Sequence, residues 1–181
     1  MDIRDLTIVE IRKAYKDHLE NDFPGDELKP LNRIESSLNE GKYRCLGAFE
    51  SDELVSYAFF VFEKGTYLLD YFAVVPKLRG KGIGTDVLKS VVRLTDADLL
   101  LIEVEDPLTG PNISEREKRY RFYLRAGAID THVKVMCFGV SYLLLEYPVR
   151  SRHSEEEISE GYKAIYRSIL PEKMFRENVL V

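Results

Sequence analysis

Residues 74–84 read Val-Val-Pro-Lys-Leu-Arg-Gly-Lys-Gly-Ile-Gly. They join an apolar run, Tyr67 to Val75, to an amphipathic run, Thr85 to Leu94, through a basic, glycine-rich turn. A strand that feeds a helix through such a turn builds an anion site. Gly80, Gly82 and Gly84 lack a Cβ, so the backbone can take positive φ and approach a ligand closely. Successive amide N–H groups can converge on one point, the opening helix adds its positive dipole end, and Arg79 and Lys81 supply full charges. That is chemistry for a phosphate or pyrophosphate. The Walker pattern needs four residues between its glycines and a Gly-Lys-Ser/Thr ending, which Gly84-Thr85-Asp86 does not supply. The dinucleotide fingerprint wants a glycine where Thr85 stands.

Outward from the loop, strand Tyr67–Val75, helix Gly84–Leu94 and strand Leu99–Glu105 form a β-α-β unit whose crossover is long enough for parallel pairing. Upstream, Ile8, Ile11, Tyr15 and Leu19 have helical spacing over 7–21, and Asp22 to Asp26 break that helix. A short helix over Leu31–Leu38 precedes two strands, Tyr43–Glu50 and Leu54–Glu63, joined by a turn at Ser51-Asp52-Glu53. Downstream, Ser114-Glu115-Arg116-Glu117 reads as a capping box opening a helix to about Arg125, which Gly127 stops. Strands Val133–Phe138 and Tyr142–Tyr147 follow. A second capping box, Ser154 to Glu157, opens a helix with Ile158, Tyr162, Ile165, Tyr166 and Ile169 on one face; Pro171 ends it before a short amphipathic tail.

Two features together resemble the GNAT superfamily of N-acetyltransferases. Arg79-Gly80-Lys81-Gly82-Ile83-Gly84 meets the family's acetyl-CoA loop, Gln/Arg-x-x-Gly-x-Gly/Ala, behind a strand ending Ala73-Val74-Val75-Pro76. The element order α-α-β-β-β-α-β-α-β-β is also the family's, over roughly residues 5 to 148. The resemblance implies an α+β fold with a central, mostly antiparallel sheet of six to seven strands, flanking helices and an extra C-terminal helix. It implies a GNAT domain over 1–150 and a helical extension over 151–181 that packs on the same domain or on a partner subunit.

For the site, the resemblance implies that Arg79, Gly80, Lys81, Gly82, Ile83, Gly84 and Thr85 cradle the CoA pyrophosphate while Ala73 and Val74 pair with the pantetheine arm. A backbone N–H near Val74 would polarise the thioester carbonyl. Phe122-Tyr123-Leu124-Arg125-Ala126-Gly127 matches the family's Phe-Tyr-x-x-x-Gly, which makes Tyr123 the candidate proton donor to the CoA sulfur. Full transfer from a tyrosine near 10 to a thiolate near 8.5 is uphill by roughly 2 kcal/mol, so the hydroxyl helps by hydrogen bonding as charge develops. The family often has Asn and Ala seven and four residues before the tyrosine; here Arg116 and Arg119 stand there, with Asn112 a turn earlier as a substitute CoA contact. Arg116, Lys118, Arg119, Arg121 and Arg125 otherwise read mostly as a solvated helix face.

An acceptor amine near 10.4 is neutral about one time in two thousand at pH 7, a handicap that a carboxylate removes. Asp70, sharing strand parity with Phe72 and Val74, is the first candidate base; Glu103 is the second. The loop Phe23–Pro30 falls where the family shapes the acceptor side of its cleft.

Composition bounds the rest. The 181 residues suit one domain. A net charge of −5 argues against a nucleic-acid partner, and no apolar run is long enough for a membrane span or signal peptide, so the expected location is cytoplasmic. Cys45 and Cys137 suggest neither disulfide nor zinc site, and His18, His132 and His153 show no metal spacing. The leading expectation is an acetyl-CoA-dependent N-acetyltransferase, monomer or homodimer, without metal, acting on a small-molecule or peptide amine. Its alternatives are a non-catalytic CoA-binding regulatory or structural protein of the same fold and an enzyme using a longer acyl-CoA.

Overall fold

The computed structural model describes every residue except Pro24 and Asp26, so those two members of the Phe23–Pro30 loop lie outside the described residues. The chain opens on β1 (Asp2–Asp5), then α1 (Ile8–Ala14) runs through a π-helical turn, Tyr15–Leu19, into α2 (Glu20–Asp22). Next come α3 (Leu31–Asn39), β2 (Tyr43–Glu50), β3 (Glu53–Glu63) and β4 (Thr66–Val74). The glycine loop leads into α4 (Ile83–Leu94), β5 (Leu99–Glu105), α5 (Ile113–Ala126), β6 (Ile129–Cys137) and β7 (Val140–Glu146). The chain ends in α6 (Glu155–Ile169), α7 (Glu172–Asn178) and β8 (Val179–Leu180).

Among the described residues the strands form one sheet of eight, in the order β1-β2-β3-β4-β5-β7-β6-β8, rather than the expected six to seven. The extra strands are its edges. β1 is four residues of mostly exposed, charged sequence, and β8 is a two-residue pairing with Met136 and Cys137; neither carries a period-2 apolar signal. Every pairing is antiparallel except β4 with β5.

Helices cover both faces. On one, Ile11 and Leu19 of the first helix, Ile34 of α3 and Ile158, Tyr162 and Ile165 of α6 pack on Tyr57, Phe59, Leu68 and Leu101. On the other, Val87, Leu88, Val91 and Val92 of α4 and Tyr123 and Ala126 of α5 pack on Phe60, Leu69, Leu100 and Ile102. α6 thus lies on the chain's own sheet, opened by the capping box at Ser154 and Glu157. The box expected at Ser114 does not form: the N-cap of α5 is Asn112, left-handed at φ 60°, with no side-chain cap bond.

Two irregularities shape the centre. β4 and β5 pair only over Thr66–Leu69 with Leu99–Ile102, although the strands run on to Val74 and Glu105. Beyond Leu69 and Ile102 the sheet is split. Just there, Phe59 faces Tyr71 while Phe60 faces Leu69, so Asp70 is the extra residue of a β-bulge.

Candidate active site

The split opens a cavity of about 1080 Å³ that passes through the sheet, from the glycine loop on the α4–α5 face to α6 on the opposite face. At the loop end, Gly80 and Gly82 adopt φ of 77° and 83°, with open space where a Cβ would stand. Their conformation is left-handed, which explains the residue type. Gly84 acts differently: a Cβ there would lie 3.3 Å from Val74 Cγ2 and 3.4 Å from the Phe122 ring, so the missing side chain lets α4 dock against β4. Gly82 caps α4, leaving the first-turn amides pointing toward the cavity mouth. Arg79 donates from Nε to the Val74 carbonyl at 2.8 Å and pairs with Asp22. These groups fit a pyrophosphate: left-handed glycines, a helix N-terminus and nearby cations.

At the split itself, Ser56 Oγ on β3 donates to the Ala73 carbonyl at 2.7 Å. The peptide is planar, so the Val74 N–H at its other end points away from β3, into the gap. Tyr123 reaches the same cavity from α5, 8 % exposed, with its ring 5.1 Å from that of Phe122. Burial pushes its pKa up to about 12, with Arg119 pulling the other way.

At the far end sit the carboxylates. The bulge puts Asp70 on the face of Tyr71, not that of Phe72 and Val74, which overturns the expected strand parity. Its carboxylate accepts from Lys29 Nζ and from the Tyr43 hydroxyl, so both oxygens are engaged. Lys29 lies 5.5 Å from the Tyr71 ring centroid, and its charged form is favoured chiefly by Asp70 against the opposing effect of burial. The loop that carries it is tied down by Tyr15, whose hydroxyl donates to the Lys29 carbonyl at 3.0 Å, and by Tyr71, which accepts from the Lys29 amide at 2.8 Å. Glu103 shares that face with Leu99 and Leu101. It accepts from the hydroxyls of Tyr162 and Tyr166, the latter at 2.9 and 3.0 Å. Burial raises its pKa, opposed by those two hydroxyls and by Lys29.

The cavity therefore brings together Ala73, Val74, Arg79, Gly80, Gly82, Gly84, Thr85, Tyr123, Asp70 and Glu103. Lys81, Ile83 and Asn112 do not line it, and Asn112 is exposed at the start of α5. Arg116 is no member of a solvated face: it is 12 % exposed and pairs with Glu105, as does Arg119 at 3.1 Å. Lys118, Arg119 and Arg125 do line the cavity. Sequence reasoning missed Tyr43, Tyr162 and Tyr166 as site residues, and it reached Lys29 only as a member of the Phe23–Pro30 loop on the acceptor side. The two tyrosines of α6 carried an i, i+4 signal that reads equally as core, and no local pattern links Lys29 to a strand 41 residues later.

The sequence profile of the acetyltransferase (GNAT) family matches residues 8–108. In fold, the chain is similar to a protein from Bacteroides thetaiotaomicron assigned to the GNAT family, with a TM-score of 0.76, 19% identity, and coverage of 93% of this chain and 97% of that one. It is also similar to the ribosomal-protein-S18-alanine N-acetyltransferase of Escherichia coli, with a TM-score of 0.62, 16% identity and coverage of 85% and 96%. A third likeness is to a GNAT family acetyltransferase from Elizabethkingia anophelis with acetyl-CoA bound, with a TM-score of 0.55, 14% identity and coverage of 82% and 97%. No curated protein matches the sequence. No helix among the described residues is long and apolar enough to cross a membrane.

Proposed function

We propose that this chain, which belongs to the acetyltransferase (GNAT) family, is an acetyl-CoA-dependent N-acetyltransferase that moves the acetyl group directly to a primary amine. The observation that carries this reading is the cavity through the split sheet, with an anion cradle at one end and a buried carboxylate at the other. The thioester supplies the activated acetyl group: a C–S bond breaks, a C–N bond forms, and of two protons lost by the ammonium one ends on the thiol and the other passes through the base to solvent.

The residues divide that work. The first-turn amides of α4, with Gly80 and Gly82 in left-handed conformation, hold the pyrophosphate. The Val74 N–H in the gap is the donor for the developing oxyanion. Tyr123, protonated up to about 12, donates a hydrogen bond to the departing sulfur. Glu103 takes the amine proton, since its raised pKa narrows the gap to an ammonium. Asp70, with both oxygens engaged, positions Lys29. The reading places the protein in the cytoplasm, with Cys45 and Cys137 as buried reduced thiols.

A thiol-release assay with acetyl-CoA over a panel of amines tests it, beside a thermal-shift titration of acetyl-CoA. Thiol release and a rise in melting temperature that Gly82→Glu abolishes are expected. A rise without release for any amine would leave a CoA-binding protein that performs no transfer; no rise with any acyl-CoA would sink the cofactor assignment.

A further inference from the structure

The acceptor end of the cavity specifies more than an amine, because its fixed charges do not cancel. Asp70 is matched by Lys29, and Tyr43 occupies its second oxygen. Glu103 makes no ion pair among the described residues: two tyrosine hydroxyls solvate it, while the Lys29 ammonium sits on Asp70. A buried carboxylate in that state is stabilised by a cation from outside. Tyr71, Tyr142 and Tyr166 line the cavity around it, and aromatic faces favour an ammonium.

The remaining wall is apolar. Ile169 and Leu170, at the end of α6, line the cavity, and so does Phe138, set at the mouth by a left-handed backbone (φ 47°) and by the hydrogen bond its backbone N–H donates to the Asn178 carbonyl at 2.9 Å. An acceptor bearing a carboxylate would meet Asp70 and Glu103, with Lys29 already paired to Asp70.

We propose that the acceptor is an alkyl- or aralkylamine, a single primary ammonium on an apolar body without a carboxylate, seated with its nitrogen on Glu103 among Tyr71, Tyr142 and Tyr166. The reaction at that nitrogen rests on the acetyltransferase reading; the seat does not. One ammonium balances the Glu103 carboxylate, and the apolar wall receives the body.

The test is calorimetric titration of the CoA-saturated protein with hexylamine, phenethylamine, putrescine, spermidine, lysine and an alanyl peptide, alongside thiol release with acetyl-CoA. Hexylamine and phenethylamine are expected to bind, and to exceed the others in kcat/KM, by about tenfold or more. Glu103→Gln weakens hexylamine binding about tenfold with the acetyl-CoA Kd unchanged. Leu170→Glu, at the partly exposed wall, shifts preference toward putrescine by about tenfold. Preference for lysine, spermidine or the peptide overturns the proposal, as does hexylamine affinity indifferent to Glu103→Gln, or no amine binding at all. Hexylamine binding through Glu103 without thiol release for any amine keeps the seat and overturns the catalytic reading instead.

Discussion

At the loop end of the cavity, recognition is made of consecutive backbone. Gly80, Gly82 and Gly84 fall within five residues, and what matters is where their amides point and which side chains they lack. At the acceptor end it is made of side chains from four separate segments, Lys29, Asp70, Glu103 and the Tyr162–Tyr166 pair, each fixed by a contact far along the chain. A backbone site tolerates changes to its side chains and fails when φ is disturbed. A side-chain site behaves in the opposite manner, and a single polar substitution removes its chemistry.

The strongest break in this comparison is Glu103→Gln, expected to lower kcat by about 100- to 1,000-fold with little change in acetyl-CoA affinity. The rising acid limb of the pH–rate profile should vanish with it. Stability should move the other way. The folded-state pKa of Glu103 is raised, so its protonated form is favoured by the fold; the native carboxyl stabilises at low pH and loses that contribution as pH rises through the raised value. The Gln variant should therefore gain on the native protein in urea denaturation as pH rises above the ordinary carboxylate range. A variant that lost stability at pH 8 relative to the native protein would contradict the buried-charge account.

Next in size is Gly82→Glu. Placing a side chain at φ 83° costs about 1–2 kcal/mol, and a negative charge at the N-terminus of α4 opposes a phosphate. Acetyl-CoA affinity should fall about a hundredfold by calorimetry, with the far-UV spectrum preserved. Tyr123→Phe should reduce kcat about tenfold at unchanged acetyl-CoA affinity, since it removes one hydrogen bond to developing charge. The smallest effect is expected of Asn112→Ala. It stands outside the cavity, and an acetyl-CoA Kd altered by less than about twofold is the prediction.

The same contrast explains what could be read from the sequence. Backbone sites leave contiguous marks, so the loop, its flanking strand and helix, and the boundaries of β2 and β5 were legible. β1 was not, because four mostly charged residues at a sheet edge show no alternation. The bulge at Asp70 defeated parity: strand counting assumes an unbroken period of two, and the extra residue shows only in the register with β3. The box at Ser114 failed because a left-handed Asn112 starts α5 two residues earlier. Glu103 was visible as a carboxylate at a strand end, but its partners come from α6, 59 and 63 residues away, and side-chain contacts of that span leave no trace in spacing.

The split between β4 and β5 has a consequence for how long each molecule survives. Strands β1–β4 and β5–β8 meet in four residue pairs, and past Leu69 the outward edge of β4 pairs with no strand among the described residues. Protection of the Phe72 and Val74 amides, which point away from β3 into the gap, from hydrogen exchange should accordingly be low in the free protein, while those of Tyr71 and Ala73 are covered by β3. A ligand that fills the gap binds the folded chain and not the unfolded one, adding about 2.7 kcal/mol at a hundredfold excess over its Kd. Resistance to proteases should then rise with the concentration of any ligand that fills the gap.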